Sequence, residues 1–263
     1  MLCSQLVNFI MSTSSGNGIK IVIIVQARMT STRLPGKVLK TVLGKSLLEH
    51  QIERLKRVHL ADELVIATTV NPEDEPIVAL GDSLMVPVCR GSEDDVLARY
   101  YETAVTHGAD VIVRVTSDCP LIDPAVIDQV INYFLTSHPA FDYVSNRIVP
   151  SYPRGMDTEV FSFKSLAAAF NEGMLLPDRE HVTPFIYRHP DRYALGNLSY
   201  RDDQSRHRWT VDTADDFELI RRIIEALYPD NPLYSLEDVL LLMDRHPDWF
   251  LINAHVEQKK LEY

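Results

Sequence analysis

Four short apolar runs, "IKIVIIVQ", "ELVIATT", "LMVPVCR" and "DVIVRVTSD", recur between residues 19 and 118. Between them the apolar residues return at helical spacing. Such runs, too short for buried helices and rich in Val and Ile, read as strands buried on both faces. The intervening helices fall at about 46–58, at "EPIVALGD", at "SEDDVLARYYETAVTHG" with Ser92 as its N-cap, and at "DPAVIDQVINYFLTS" with Asp123 as N-cap and Pro124 in the first turn. This strand–helix alternation predicts an α/β fold with a doubly wound, mostly parallel sheet.

Beyond about residue 140 the rhythm loosens. "FDYVSN", "TEVFSF", "DRYALGNLSY" and "HRWTVDT" read as strands that need not be parallel, and "SLAAAF" and "EHVTPFIYR" as helices. "ADDFELIRRIIEALY" and "SLEDVLLLMDRHP", the latter capped by Ser235, are amphipathic helices. The expected organisation is a single domain over 19–257 with an inserted, irregular α+β lobe. It is preceded by a disordered extension over 1–18, within which Met11 offers an alternative start, and followed by a short tail over 258–263.

Charge is distributed unevenly. The chain carries a net charge of −11, which disfavours nucleic acid or an anionic membrane surface as a partner. Yet from Met1 to His50 the only acidic residue is Glu49. The stretch after the first strand, "QARMTSTRLPGKVLK", holds Arg28, Arg33, Lys37 and Lys40. Loops at the carboxyl ends of parallel strands are where open α/β sheets bind ligands. Two guanidiniums, an ammonium and the hydroxyls of Thr30, Ser31 and Thr32 suit a small polyphosphate, and a solvated basic loop is the alternative. Neither GxxxxGK[ST] nor GxGxxG is present. Cys3, Cys89 and Cys119 have no metal-like spacing and read as reduced thiols of a cytoplasmic protein. No apolar stretch approaches the length of a membrane span.

"ARMTSTRLPGKVL" resembles the opening motif of 3-deoxy-manno-octulosonate cytidylyltransferases, close to A-R-x-x-S-T-R-L-P-G-K-x-L. "GSEDDVLARYY", "RVTSDCPLIDP", "REHVTPFIYRHPDRY" and "RWTVDTADDFELI" extend the resemblance to cytidylyltransferase-like proteins of spore coat polysaccharide biosynthesis (SpsF-like). It spans residues 20 to 257 with the motifs in order. The resemblance implies a Rossmann-like, nucleotide-diphospho-sugar transferase-like fold and a magnesium-dependent nucleotidyltransferase that moves CMP from CTP to a sugar or sugar-like acid. A homodimer would be in keeping with it.

Residue by residue, the resemblance assigns Mg²⁺ to Asp118 and Asp212, and the nucleotide to Ala27, Arg28, Ser31, Arg33, Lys37, Arg90, Ser92 and Thr116. Arg28, Arg33 and Lys37 would also stabilise the departing pyrophosphate. Asp157, Glu159, Arg179, His181 and Arg208 are candidates for the second substrate. Each has a structural use as well. Asp118 could cap the turn before Pro120, Asp212 could cap the next helix, Thr116 could be a β-branched strand residue, and Arg208 could pair with a nearby acid. "V-T-S-D" replaces the octulosonate enzymes' "V-Q-G-D", which weakens the case for CTP in particular. Two rivals are a glycosyltransferase of similar fold, disfavoured because Asp118 and Asp123 do not form an Asp-x-Asp pair, and a non-catalytic nucleotide-binding module.

Overall fold

The computed structural model describes residues 18–258; the expected extension, save Gly18, and all of the expected tail except Gln258 lie outside the described residues. Seven strands form one sheet: β1 (Ile21–Gln26), β4 (Glu63–Thr69), β5 (Val88–Gly91), β6 (Val111–Thr116), β7 (Tyr143–Ser145), β8 (Glu159–Ser162) and β9 (Leu195–Asn197). A small hairpin, β2 (Thr41–Val42) with β3 (Lys45–Ser46), stands apart. The order across the sheet is β5-β4-β1-β6-β8-β7-β9. Only β8 is reversed, antiparallel to both of its neighbours. The irregular half thus extends the same sheet.

Nine helices accompany the sheet among the described residues: α1 (Leu47–Leu55), α2 (Glu75–Ser83), α3 (Val96–Thr106), α4 (Pro124–Thr136), α5 (Phe163–Glu172), α6 (Leu176–His181), α7 (Pro184–Tyr187), α8 (Ala214–Leu227) and α9 (Leu236–Arg245). β1 shows why its sequence is apolar throughout. Ile21, Ile23 and Val25 share a core with α1, α2 and α4, while Val22 and Ile24 share one with α3, α5 and α7. A third core holds Trp209 and Val211 against α8 and α9.

Three local expectations change. The N-cap of α3 is Asp95, whose carboxylate accepts the Ala98 amide at 2.9 Å; Ser92 lies a turn too early and instead accepts the Asp95 amide. "EHVTPFIYR" breaks into α6 and α7 because Val182 takes φ 72°. "HRWTVDT" makes only an isolated bridge, Arg154 with Arg208, rather than a strand. Asp123 does cap α4 and Ser235 caps α9.

Candidate active site

The loop after β1 is pinned at both ends. The Ala27 amide donates to Ala67 O at 3.1 Å, and the Met29 amide to Asp74 at 2.7 Å. The loop closes where the Gly36 amide donates to Met29 O at 3.0 Å. Gly36 has φ 66°, a left-handed conformation that glycine adopts without steric cost. Its turn starts a short 3₁₀ segment, Lys37–Leu39, and sends the Lys37 side chain across the end of the sheet.

Two carboxylates meet it there. Asp118 lies two residues beyond β6, and the segment holding Asp212 runs alongside, its Val211 amide donating to Asp118 O at 2.8 Å. Lys37 Nζ stands 2.9 Å from Asp212 Oδ1, 3.5 Å from Asp118 Oδ2 and 2.7 Å from Val211 O. Arg33 reaches the other oxygen of Asp212 at 2.9 Å. Burial disfavours charge on Lys37, but Asp118 and Asp212 outweigh it and raise its pKa. Burial likewise works against the Asp118 carboxylate; Lys37 and the Thr116 hydroxyl, 2.5 Å away, prevail and lower its pKa to about 2.

Asp212 is aimed by a supporting layer. Fully buried Asp216 accepts the Asp212 and Thr213 amides, both at 3.0 Å. Arg208 donates to Asp216 at 2.9 Å and to Asp212 at 2.7 Å. Asn253 ties Asp216 at 2.8 Å to Arg208 O at 2.9 Å. Gln258 accepts from Arg208 at 2.7 Å. Gly155 lets the bridge form: its φ is 108°, and a Cβ there would stand 2.7 Å from the Trp209 carbonyl.

These groups line a cleft of about 500 Å³ at the carboxyl ends of the parallel strands. Seven cationic side chains face it (Arg28, Arg33, Lys37, Arg99, Arg114, Arg147, Arg154) against four carboxylates (Asp118, Asp157, Glu180, Asp212). Positive charge outnumbers negative along this cleft within an acidic chain, which suits a small polyanion. Among the described residues, no group of three or more His, Cys, Asp or Glu side chains is arranged to hold a metal by itself.

Of the residues singled out from sequence, Ala27, Arg28, Ser31, Arg33, Lys37, Thr116, Asp118, Asp157, His181 and Asp212 line the cleft. Five do not. Arg90 is drawn outward to Thr69 O, Asn71 O and Glu75. Ser92 serves the turn before α3. Arg179 is paired with Asp95 and donates to Phe170 O at 2.9 Å. Glu159, 2% exposed, is the buried counter-charge of Arg114 and accepts the Tyr143 and Thr183 hydroxyls, both at 2.6 Å. Arg208 stands behind Asp212. Thr116 lines the cleft with its hydroxyl committed to Asp118.

Sequence reasoning passed over Arg99, Arg114 and Arg147. Arg114 did carry a signal, since a lone guanidinium inside the strand "VIVRVT" must be paired or exposed to a ligand. Arg147 follows a three-residue strand and gave none.

The sheet order and a cationic cleft at the strand ends define an α/β protein with a site for a small anionic ligand. The chain belongs to the cytidylyltransferase family, whose sequence pattern matches residues 22–246. It is 38% identical over 242 residues to an uncharacterized protein of Methanocaldococcus jannaschii, covering 91% of this chain and 97% of the other. It is 32% identical over 236 residues to the spore coat polysaccharide biosynthesis protein SpsF of Bacillus subtilis, covering 87% and 95%. A cytidylyltransferase structure from Leptospira borgpetersenii superposes with a TM-score of 0.85 at 29% identity, covering 94% of this chain and 100% of that one.

Proposed function

We propose that this protein transfers CMP from CTP to a sugar or sugar-like acid, with release of pyrophosphate, in cytoplasmic synthesis of a surface polysaccharide or other glycan. The observation that carries this reading is the meeting of Lys37 and Arg33 with Asp212, and of Lys37 with Asp118, inside the cationic cleft.

A single ammonium group already stands between the two carboxylates, so the pair has the spacing and charge to hold a small cation. Two carboxylates completed by substrate phosphates suit Mg²⁺. Asp118 and Asp212 would hold it, and it would neutralise charge on the α-phosphate and the leaving group. In this reading Lys37 and Arg33 exchange carboxylate partners for phosphate oxygens. With Arg28 they stabilise the negative charge that grows on the β- and γ-phosphates as the acceptor oxygen attacks the α-phosphorus in line. No covalent intermediate is needed. Thr116 keeps Asp118 aimed.

The acceptor faces the other wall. Arg154 forms no ion pair among the described residues, and the nearest carboxylate to Arg147 is Glu159 at 4.0 Å, already held by Arg114. Two guanidiniums that share the field of one cleft carboxylate, Asp157, favour an acceptor with an anionic group, and Asp157 and His181 line the same cleft. The test is pyrophosphate release from each of the four nucleoside triphosphates with Mg²⁺ across a panel of acidic and neutral sugars. Release is expected with CTP and an acidic sugar; release only with another nucleotide, or only with neutral sugars, would overturn the respective part.

A further inference from the structure

A second cavity, of about 230 Å³ and sharing no residue with the cleft, opens between α1 and the connection from α8 to α9. Arg54 and Arg57 line it together with His50, Glu53, Tyr228 and Tyr234. Arg54 is 3% exposed. Its Nε donates to Ile122 O at 2.7 Å, its Nη2 donates to Tyr234 O at 2.9 Å, and its guanidinium lies 4.2 Å from the centroid of the Tyr234 ring. Its remaining Nη1 is buried without a hydrogen-bond partner, and so is Nη2 of Arg57.

Neither arginine forms an ion pair among the described residues. The nearby carboxylates are committed elsewhere. Glu53 is paired with Lys45 and accepts the Tyr228 hydroxyl at 2.8 Å. Asp123 accepts the backbone amides of Ala125 at 2.8 Å and Leu236 at 2.5 Å. Burial and the neighbouring Arg54 charge push the Arg57 pKa down and outweigh the opposing fields of Asp123, Tyr234 and Glu53. Two adjacent guanidiniums without a counter-ion repel one another, and each buried unpaired N–H carries a desolvation cost. An oxyanion accepting from both forks would relieve both.

We propose that this cavity is a second anion site, in which Arg54 and Arg57 clamp the phosphate or carboxylate group of a small molecule. The volume admits a small organic anion as readily as a free inorganic one, and the aromatic walls of Tyr228 and Tyr234 give it an apolar flank.

The test uses thermal shift and calorimetric titration of the full chain with inorganic phosphate and, separately, with citrate as a phosphate-free carboxylate. An anion that binds only the folded state raises its melting temperature by mass action. Because the cleft also attracts anions, the titrations are repeated in Arg33→Ala, which weakens the cleft and leaves this cavity intact. The expected result is binding retained in Arg33→Ala and weakened at least tenfold in Arg57→Gln, whose turnover should equal that of the wild type. A response to phosphate alone identifies a phosphate-bearing ligand, and one to citrate alone a carboxylate. Arg57→Glu supplies the counter-charge itself, so it should raise the ligand-free melting temperature while abolishing anion binding. Binding unaffected by Arg57→Gln, or no binding of either anion to Arg33→Ala, would overturn the proposal; neither outcome bears on catalysis in the cleft.

Discussion

Replacing Lys37 with methionine keeps most of the side-chain volume and removes only the ammonium group. Asp118 then loses its one ionic partner among the described residues, while Asp212 keeps Arg33 and Arg208. Burial penalises the Asp118 charge, yet its pKa stands at about 2 against an ordinary 3.8, with Lys37 the largest of the opposing influences. At 1.36 kcal/mol per pKa unit, that net stabilisation is about 2 kcal/mol. Lys37→Met should therefore lower stability by about 2 kcal/mol at pH 7, or roughly 4–8 °C in melting temperature for a chain of this size.

The pH dependence gives the prediction its sign. A carboxylate with a depressed folded-state pKa contributes fully above its unfolded value and loses that contribution as pH falls through the folded one. The gap between wild type and variant should thus be complete above pH 4 and close as pH approaches 2. Turnover should fall about 10²-fold, as when a charge-stabilising donor is lost. Mg²⁺ alone should raise the melting temperature of the variant more than that of the wild type, because the carboxylate pair no longer holds its own cation. Differential scanning fluorimetry between pH 2 and 8, with and without Mg²⁺, reads all but the turnover. Equal melting temperatures at neutral pH, or undiminished turnover, would refute the role given to Lys37.

Three further outcomes are expected. Gly155→Ala should cost about 3 kcal/mol in urea unfolding, since the left-handed φ and the 2.7 Å approach to the Trp209 carbonyl force the backbone apart; a neutral substitution would show that the bridge is not tight. Glu159→Gln should also cost about 3 kcal/mol, because Arg114 is left buried without its counter-charge, and wild-type stability in that variant would return Glu159 to the list of substrate contacts. On the proposed reading, in which Thr116 aims a metal ligand, Thr116→Val should slow turnover about tenfold and leave the nucleotide preference unchanged; a changed preference would mean that Thr116 reads the base.

The elements that sequence made legible are those in which short-range physics decides. β1, β4 and β6 are runs of Val and Ile buried on both faces, and Asp123 and Ser235 cap helices through amides two or three residues away. What escaped depended on reach. Arg90, Arg179 and Glu159 have side chains of suitable chemistry in suitable segments, but each is claimed by a partner 15 or more residues distant in sequence that no local pattern discloses. "HRWTVDT" alternates like a strand, yet its segment turns along Asp118 and the Arg154 bridge and forms no ladder. Conversely, the cleft's basic loop was visible because its charge bias against an acidic chain is a property of composition and needs no long-range contact to be seen.

The buried hub at Asp216 makes the working centre a late product of synthesis. By residue 200 the ribosome has delivered every strand of the sheet and the whole basic loop after β1, but only Asp118 of the carboxylate pair. Asp212 follows, and Asn253 and Gln258, which brace the Asp216 and Arg208 that hold it, come later still. A polypeptide cut before Asn253 would therefore possess the scaffold while lacking part of the layer that braces Asp212.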